Sequence, residues 1–142
     1  MAVQSDPTIK DVIAVAEFRS ALRHFLRRSE KIARQSGLTP QRYTLLMMIK
    51  GALDGSQQST VTELADRMQL AQSTVTELVR RAESAGLIDR AQSQRDARVA
   101  HLRLTPEGER RLMLSFTELD AERAQLRDAF ANLDGGVTGS SV

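Results

Sequence analysis

Residues 60–85, TVTELADRMQLAQSTVTELVRRAESA, hold two helical patterns separated by only three residues. Thr60 and Glu63 stand at capping-box spacing, which predicts a short helix from Val61 to Met68 with Leu64, Ala65 and Met68 on one side. After Gln69-Leu70-Ala71 a second helix is expected from Gln72 to Ala85, and Gly86 suits its C′ position. At 100° per residue, Val75, Leu78, Val79 and Ala82 form a single apolar stripe. Helices this short are not stable alone, so their stripes must share a core. Two short helices on a tight joint are the pattern of a helix-turn-helix.

Two strands follow, Leu87 to Gln92 and Val99 to Leu104, around a polar tip that carries Arg95, Asp96 and Arg98. A helix-turn-helix followed by a hairpin is a winged helix-turn-helix, whose second helix enters the major groove of DNA. The remaining pattern is helical. Val12, Val15, Phe18, Leu22, Phe25, Leu26, Ile32 and Ala33 place a long helix over Pro7 to Gln35, stopped at Gly37. Thr39-Pro40 starts a second helix that reaches Leu53, and 54–60 reads as loop. Thr105-Pro106 repeats that start, and a last helix is expected over 106–133, with Leu112, Phe116, Leu119, Leu126, Phe130 and Leu133 on its apolar side. The fold class is mainly α (α+β), a winged helix-turn-helix with long N- and C-terminal helices. The reading is one domain over 1–142: N-terminal helices 8–53, winged helix-turn-helix 59–105, C-terminal helix 106–133 and a small, polar, disordered tail 134–142.

With 41% apolar residues, 4% aromatic residues and no Trp, the core must be built from aliphatic side chains. The net charge is only +2, so any affinity for a polyanion depends on where the charge sits. The absence of Cys excludes disulfides, thiolate metal sites and cysteine nucleophiles. The two histidines, His24 and His101, lie far apart with no metal-ligand spacing around them. No catalytic group, metal site or cofactor is therefore expected. No apolar run approaches the ~20 residues of a membrane span. The first ten residues lack the apolar core of a secretory signal, so a cytoplasmic protein without membrane contact is expected.

The helix from Gln72 presents Ser73, Glu77, Arg80 and Ser84 opposite its apolar stripe, flanked by Thr74, Thr76 and Arg81. Short hydroxyls near a helix start permit close approach to DNA, and an arginine further along can reach a guanine edge or a phosphate. Glu77 could accept from cytosine N4, but would repel a phosphate. At the wing tip, Asp96 between two arginines can hold Arg98, or Arg90 at the hairpin base, and aim the free guanidinium at the DNA backbone or minor groove. The plainer alternatives are an ordinary polar helix face and a solvated charged turn.

The segments STVTELV, AGLIDR, the D-x-R wing pattern Asp96-Ala97-Arg98 and LTPEG, in this order and spacing, resemble the MarR (multiple antibiotic resistance regulator) family of bacterial transcription factors. SGLTPQRYTLLMMI resembles the family's junction between its first two helices, and the resemblance extends over roughly Phe18 to Leu133. It implies a sequence-specific, DNA-binding transcriptional regulator. Such a protein is a homodimer on a short pseudo-palindromic operator of double-stranded DNA, a repressor released by a small, often aromatic, anionic effector. It makes Gln72 to Ser84 the recognition helix, Asp96 and Arg98 the wing pair, and the first and last helices the dimerisation layer. Three departures stand out. Glu77 and Arg80 exchange the charges common at those positions. Ala71 replaces a capping Ser. The last helix is expected to lack the further helix that braces many family dimers.

Arg19, Arg23, Arg27, Lys31 and Arg34 form a basic ridge on the first helix, and Glu118, Asp120, Glu122 and Asp128 an acidic set on the last. These can pair across subunits or remain solvated, or one arginine can meet an effector carboxylate. Phe25, Tyr43, Met47 and Met48 are candidate effector-pocket residues, or plain core. The alternative function is a winged-helix module for protein or RNA interaction, without sequence-specific DNA binding. Any oxidant response must bypass sulfenic acid chemistry, because there is no Cys. Mild peroxide should leave DNA binding without a rapid, thiol-reversible loss, as read by mobility shift before and after dithiothreitol.

Overall fold

The computed structural model describes residues 6–92 and 98–134. Along the chain run α1 (Ile9–Gln35), α2 (Pro40–Lys50), α3 (Val61–Met68), α4 (Gln72–Ser84), β1 (Ile88–Gln92), β2 (Ala100–Leu104), α5 (Pro106–Thr117) and α6 (Asp120–Asp134). The chain divides into two compact units, 32–117 and the pair of segments 1–31 and 118–142.

In the unit 32–117 the start and stop chemistry read from the sequence is present. Thr39 caps α2 by accepting from the Arg42 amide at 3.2 Å, with Pro40 in the first turn. Thr60 accepts from the Glu63 amide at 3.2 Å and donates its hydroxyl to the Glu63 carboxylate at 3.1 Å. Gly37 and Gly86 adopt positive φ, and each closes a Schellman turn. Leu38 N donates to Ala33 O at 2.9 Å and Leu87 N to Ala82 O at 3.0 Å. The same turn ends α3, where Leu70 N donates to Ala65 O at 3.1 Å, but the left-handed residue is Gln69, at φ 55°. That joint turns the chain from α3 into α4 within the expected three residues.

The apolar stripe of α4 is buried at Val75, Val79 and Ala82, while Leu78 is half-buried. The core of this unit also holds Leu45, Leu46 and Ile49 of α2, Leu64 of α3, and Leu87, Ile88, Leu102 and Leu104 of the hairpin region, all buried. β1 and β2 pair antiparallel, with Ile88 opposite Leu104 and Gln92 opposite Ala100. The segment expected as plain loop adds a third partner. Ser59 and Leu102 exchange N–H···O bonds at 3.0 and 2.8 Å, so the entry to α3 pairs with β2.

α2 ends at Lys50 rather than Leu53. Its last carbonyls are met by Arg67, whose Nη1 donates to Met48 O at 3.0 Å and Gly51 O at 3.2 Å, and Leu53 is 90% exposed. The single last helix expected over 106–133 is two helices, α5 and α6. Leu119 at the break is buried, Arg123 N donates to Leu119 O at 2.9 Å, and Asp120 and Glu122 place negative charge in the first turn of α6. The unit of 1–31 and 118–142 contains an edge-to-face pair of Phe18 and Phe130, with centroids 6.0 Å apart, and an ion pair of Arg28 with Glu122 at 3.4 Å. The tail 135–142 lies outside the described residues.

α5 begins hard against the end of α4. Thr105 accepts from the Gly108 amide at 3.1 Å and donates to Gly86 O at 2.6 Å, while its own amide donates to Leu87 O at 3.0 Å. A Cβ on Gly108 would overlap the Leu87 carbonyl oxygen and stand 3.1 Å from its carbon. Helix propensity favours Ala over Gly by about 1 kcal/mol. A backbone overlap costs about 1–3 kcal/mol or more when neither side can yield. Gly108→Ala should therefore lower the urea midpoint despite the better helix former; a raised midpoint would show that α5 can back away from Leu87.

Candidate nucleic-acid interface

On α4, Gln72, Ser73, Thr74, Thr76, Arg80, Arg81 and Ser84 are exposed, and Glu77 lies half-buried among them. Ser73, Glu77, Arg80 and Ser84 lie opposite Val75, Val79 and Ala82, with Thr74, Thr76 and Arg81 at the flanks and Gln72 in the first turn. Ala71 is the N-cap and offers no side-chain bond, so α4 opens without a side-chain cap. At the other end of the helix, the Ser84 hydroxyl donates back to Arg80 O at 3.0 Å.

The expected conflict between Glu77 and a polyanion resolves locally. Oε2 of Glu77 accepts from Arg80 Nε at 3.0 Å, and Oε1 accepts from Arg80 Nη2 at 2.6 Å and Arg81 Nε at 3.1 Å. The hydrogen bond from Arg80 is the largest cause holding the Glu77 carboxyl down at about 2, and that from Arg81 adds to it. Arg80 is raised in turn by Glu77. The three side chains form one cluster of net positive charge on the exposed face. The same pattern, E-x-x-R-R, recurs on α5. Glu107 accepts from Arg110 Nε at 2.9 Å, Arg110 Nη2 at 2.6 Å and Arg111 Nε at 2.9 Å, and its carboxyl is likewise held at about 2. Spacing of i, i+3 and i+4 is the sequence signal for both clusters.

The wing is described in part. Arg95 and Asp96 lie outside the described residues, and Arg98 is exposed at the return into β2. Arg90 at the hairpin base is engaged by Glu83, whose Oε1 accepts from Arg90 Nε at 2.7 Å. This pair joins α4 to β1. Sequence reasoning missed it because the two residues lie seven apart across the Gly86 turn, where helical spacing gives no guide.

Of the four candidate effector residues, Tyr43 is buried in the core of the unit 32–117, and Met47 and Met48 are half-buried in the same helix. Phe25 is half-buried on α1 in the other unit. The basic ridge of α1 is exposed at Arg19, Arg23, Arg27, Lys31 and Arg34. Of the acidic set, two members are engaged within their own chain: Glu122 meets Arg28, which is not a ridge member, and Asp120 meets Arg123. Among the described residues no group of His, Cys, Asp and Glu could hold a metal ion, and no helix is long and apolar enough to cross a membrane.

A tight helix-turn-helix, a polar face on its second helix and a two-stranded hairpin after it define a winged helix-turn-helix protein. Comparison with known proteins gives the family. The sequence profile of the MarR family matches residues 36–99. The HTH-type transcriptional regulator YsmB of Bacillus subtilis (strain 168) is 32% identical over 127 residues, which cover 87% of this chain and 82% of YsmB. The crystal structure of AbsC, a MarR family transcriptional regulator from Streptomyces coelicolor, superposes with a TM-score of 0.61 at 22% identity, covering 92% of this chain and 84% of AbsC. A mutant of MarR from E. coli complexed with operator DNA gives a TM-score of 0.61 at 17% identity, covering 95% of this chain and 89% of that one. The chain belongs to the MarR family of transcriptional regulators.

Both clamped carboxyls sit below their ordinary value of 4.5. A depressed folded value favours folding where the carboxyl is ionised. That contribution is complete above about pH 4.5 and is lost as the pH falls through about 2. The double variant Glu77→Gln, Glu107→Gln should therefore lose less stability between pH 5 and pH 2 (roughly the window set by those values) than the wild type. Denaturant midpoints across that range give the comparison, and parallel curves would mean the clamps carry no linkage.

Proposed function

We propose that this regulator acts in the cytoplasm as a homodimer that binds a short pseudo-palindromic operator of double-stranded DNA and represses the genes beside it. It does so without catalysis, and a small anionic effector releases it. The observation that carries the reading is the face of α4. Its first two turns offer Gln72, Ser73, Thr74 and Thr76, and there is no side-chain cap, so backbone amides remain for phosphate. One to two turns on, Arg80 and Arg81 are held outward by Glu77.

In the MarR family complex the bound molecule is operator DNA, and the same role is assigned here to α4 and the wing. Gln72, Ser73, Thr74, Thr76, Arg80 and Arg81 meet bases and phosphates, Arg95 and Arg98 meet the backbone or minor groove, and Asp96 orients Arg98. Dimerisation is supported by apolar side chains left at the surface of α1, where Ile9, Val12, Ile13 and Val15 are each about half exposed or more, and by Phe130 of α6. The candidate effector residues remain Phe25 of α1 and Tyr43, Met47 and Met48 of α2, with an arginine of the α1 ridge as the candidate for an effector carboxylate.

The test combines mass and salt dependence. Sedimentation should return twice the 15.7 kDa chain mass, and affinity for the selected duplex should fall steeply as salt rises, because phosphate contacts release counterions. Arg98→Ala should weaken binding to all sequences and reduce the salt slope by about 1. Asp96→Ala should also weaken binding, although it removes a negative charge. A monomer, salt-insensitive binding, or tighter binding by Asp96→Ala to every duplex would each remove part of the reading.

A further inference from the structure

We propose that Glu77 is a specificity-determining positioning residue: it grips the side edge of the Arg80 guanidinium and leaves the terminal edge to read a guanine. The proposal rests on α4 being the DNA-reading helix and says how it reads.

A guanidinium has five N–H donors in one plane. Glu77 takes Nε and Nη2 of Arg80, at 3.0 and 2.6 Å, with its two oxygens. Three donors are left, two on Nη1 and one on Nη2, and one from each nitrogen make two parallel N–H groups at the outer end. That fork matches O6 and N7 of guanine. Arg80 is 65% exposed, so without the carboxylate its long side chain could turn either edge outward. An unheld fork must be ordered at the moment of binding. Arg81 gives up only Nε, at 3.1 Å, and keeps both terminal nitrogens for phosphate.

The alternative role for Glu77, accepting from cytosine N4, has little left to work with. Three N–H groups already occupy its roughly four acceptor positions. The clamp recurs on α5, where the counterpart of Arg80 is Arg110: Glu107 takes its Nε and Nη2 at 2.9 and 2.6 Å, the same side edge. The counterpart of Arg81 is Arg111, held through Nε at 2.9 Å, and its Nη1 lies 3.5 Å from the Gly37 carbonyl oxygen, an acceptor of the same kind as guanine O6. The low titration of Glu77 agrees with a carboxylate that stays ionised and engaged through the physiological range.

The experiment titrates wild type, Glu77→Gln and Arg80→Lys against the duplex selected by the wild type, all its single-base variants and an unrelated duplex, with thermal melting to confirm equal folding. The wild type should prefer guanine at one position in each half-site by roughly tenfold or more. Glu77→Gln cannot grip both nitrogens, because its amide nitrogen donates. It should reduce that preference below about threefold while binding the unrelated duplex equally or more tightly. Arg80→Lys keeps the charge, loses the fork and should lose the same preference. Retention of the full guanine preference by Glu77→Gln overturns the proposal, and so does a loss confined to a cytosine position, which would make Glu77 a base contact. A wild type without any preferred duplex overturns the DNA-reading assignment itself, and this role with it; the wild-type titration alone separates that failure from the other two.

Discussion

The unit 32–117 depends on the contact between the first turn of α5 and the backbone at Gly86 and Leu87. Thr105 is bonded there three times, to the Gly86 carbonyl, the Leu87 carbonyl and the Gly108 amide. Gly108 lets the helix close on Leu87 without a side chain between them. This one junction fixes the end of α4, the start of β1 and the start of α5. Moving α5 out by the width of a methyl group would open the core at Leu87 and Leu112, both buried, and would free the hairpin to tilt against the recognition helix.

Much of this fold can be read from short-range chemistry. Thr39-Pro40, Thr60 with Glu63, and Thr105-Pro106 are caps whose partners lie within three residues, so the sequence displays them directly. Gly37 and Gly86 mark left-handed turns because only Gly takes that conformation without strain. The same logic fails where a helix ends without such a residue. Gln69 adopts the left-handed turn against its preference, held by its backbone amide to Asp66 O and its side-chain amide to the same carbonyl. The break at 118–119 has neither Gly nor Pro, and apolar periodicity runs through it. Leu119 at the break is buried, a tertiary fact that no local pattern carries.

The polar face of α4 was legible as a set of residues but not as an arrangement. Periodicity places Ser73, Glu77, Arg80 and Ser84 together; it does not say that one carboxylate grips two arginines. That inference needed the i, i+3, i+4 spacing to be weighed as a cluster rather than as separate contacts with DNA. The Glu83–Arg90 pair was not legible, because it spans a turn and joins a helix to a strand. Arg28 was overlooked for a similar reason: it lies off the 19-23-27-31 ridge, and its partner Glu122 is more than ninety positions away by the numbering of the two residues.

The bridge between Ser59 and Leu102 has a mechanical consequence. Because the two residues exchange both of their backbone bonds, the inner part of β2 is clasped on each side, by Arg90 of β1 and by the strand-like entry to α3. Among the described residues, only the pairs Ala91–His101 and Gln92–Ala100 lie outward of that clasp. The hairpin is thus a short lever on a fixed fulcrum. Force applied to its outer end passes at Leu102 into the first turn of α3, and so into the helix that carries the joint to α4. A duplex pressing on the wing would load the helix-turn-helix from behind, and the two parts would meet the groove as one rigid piece rather than as separate contacts.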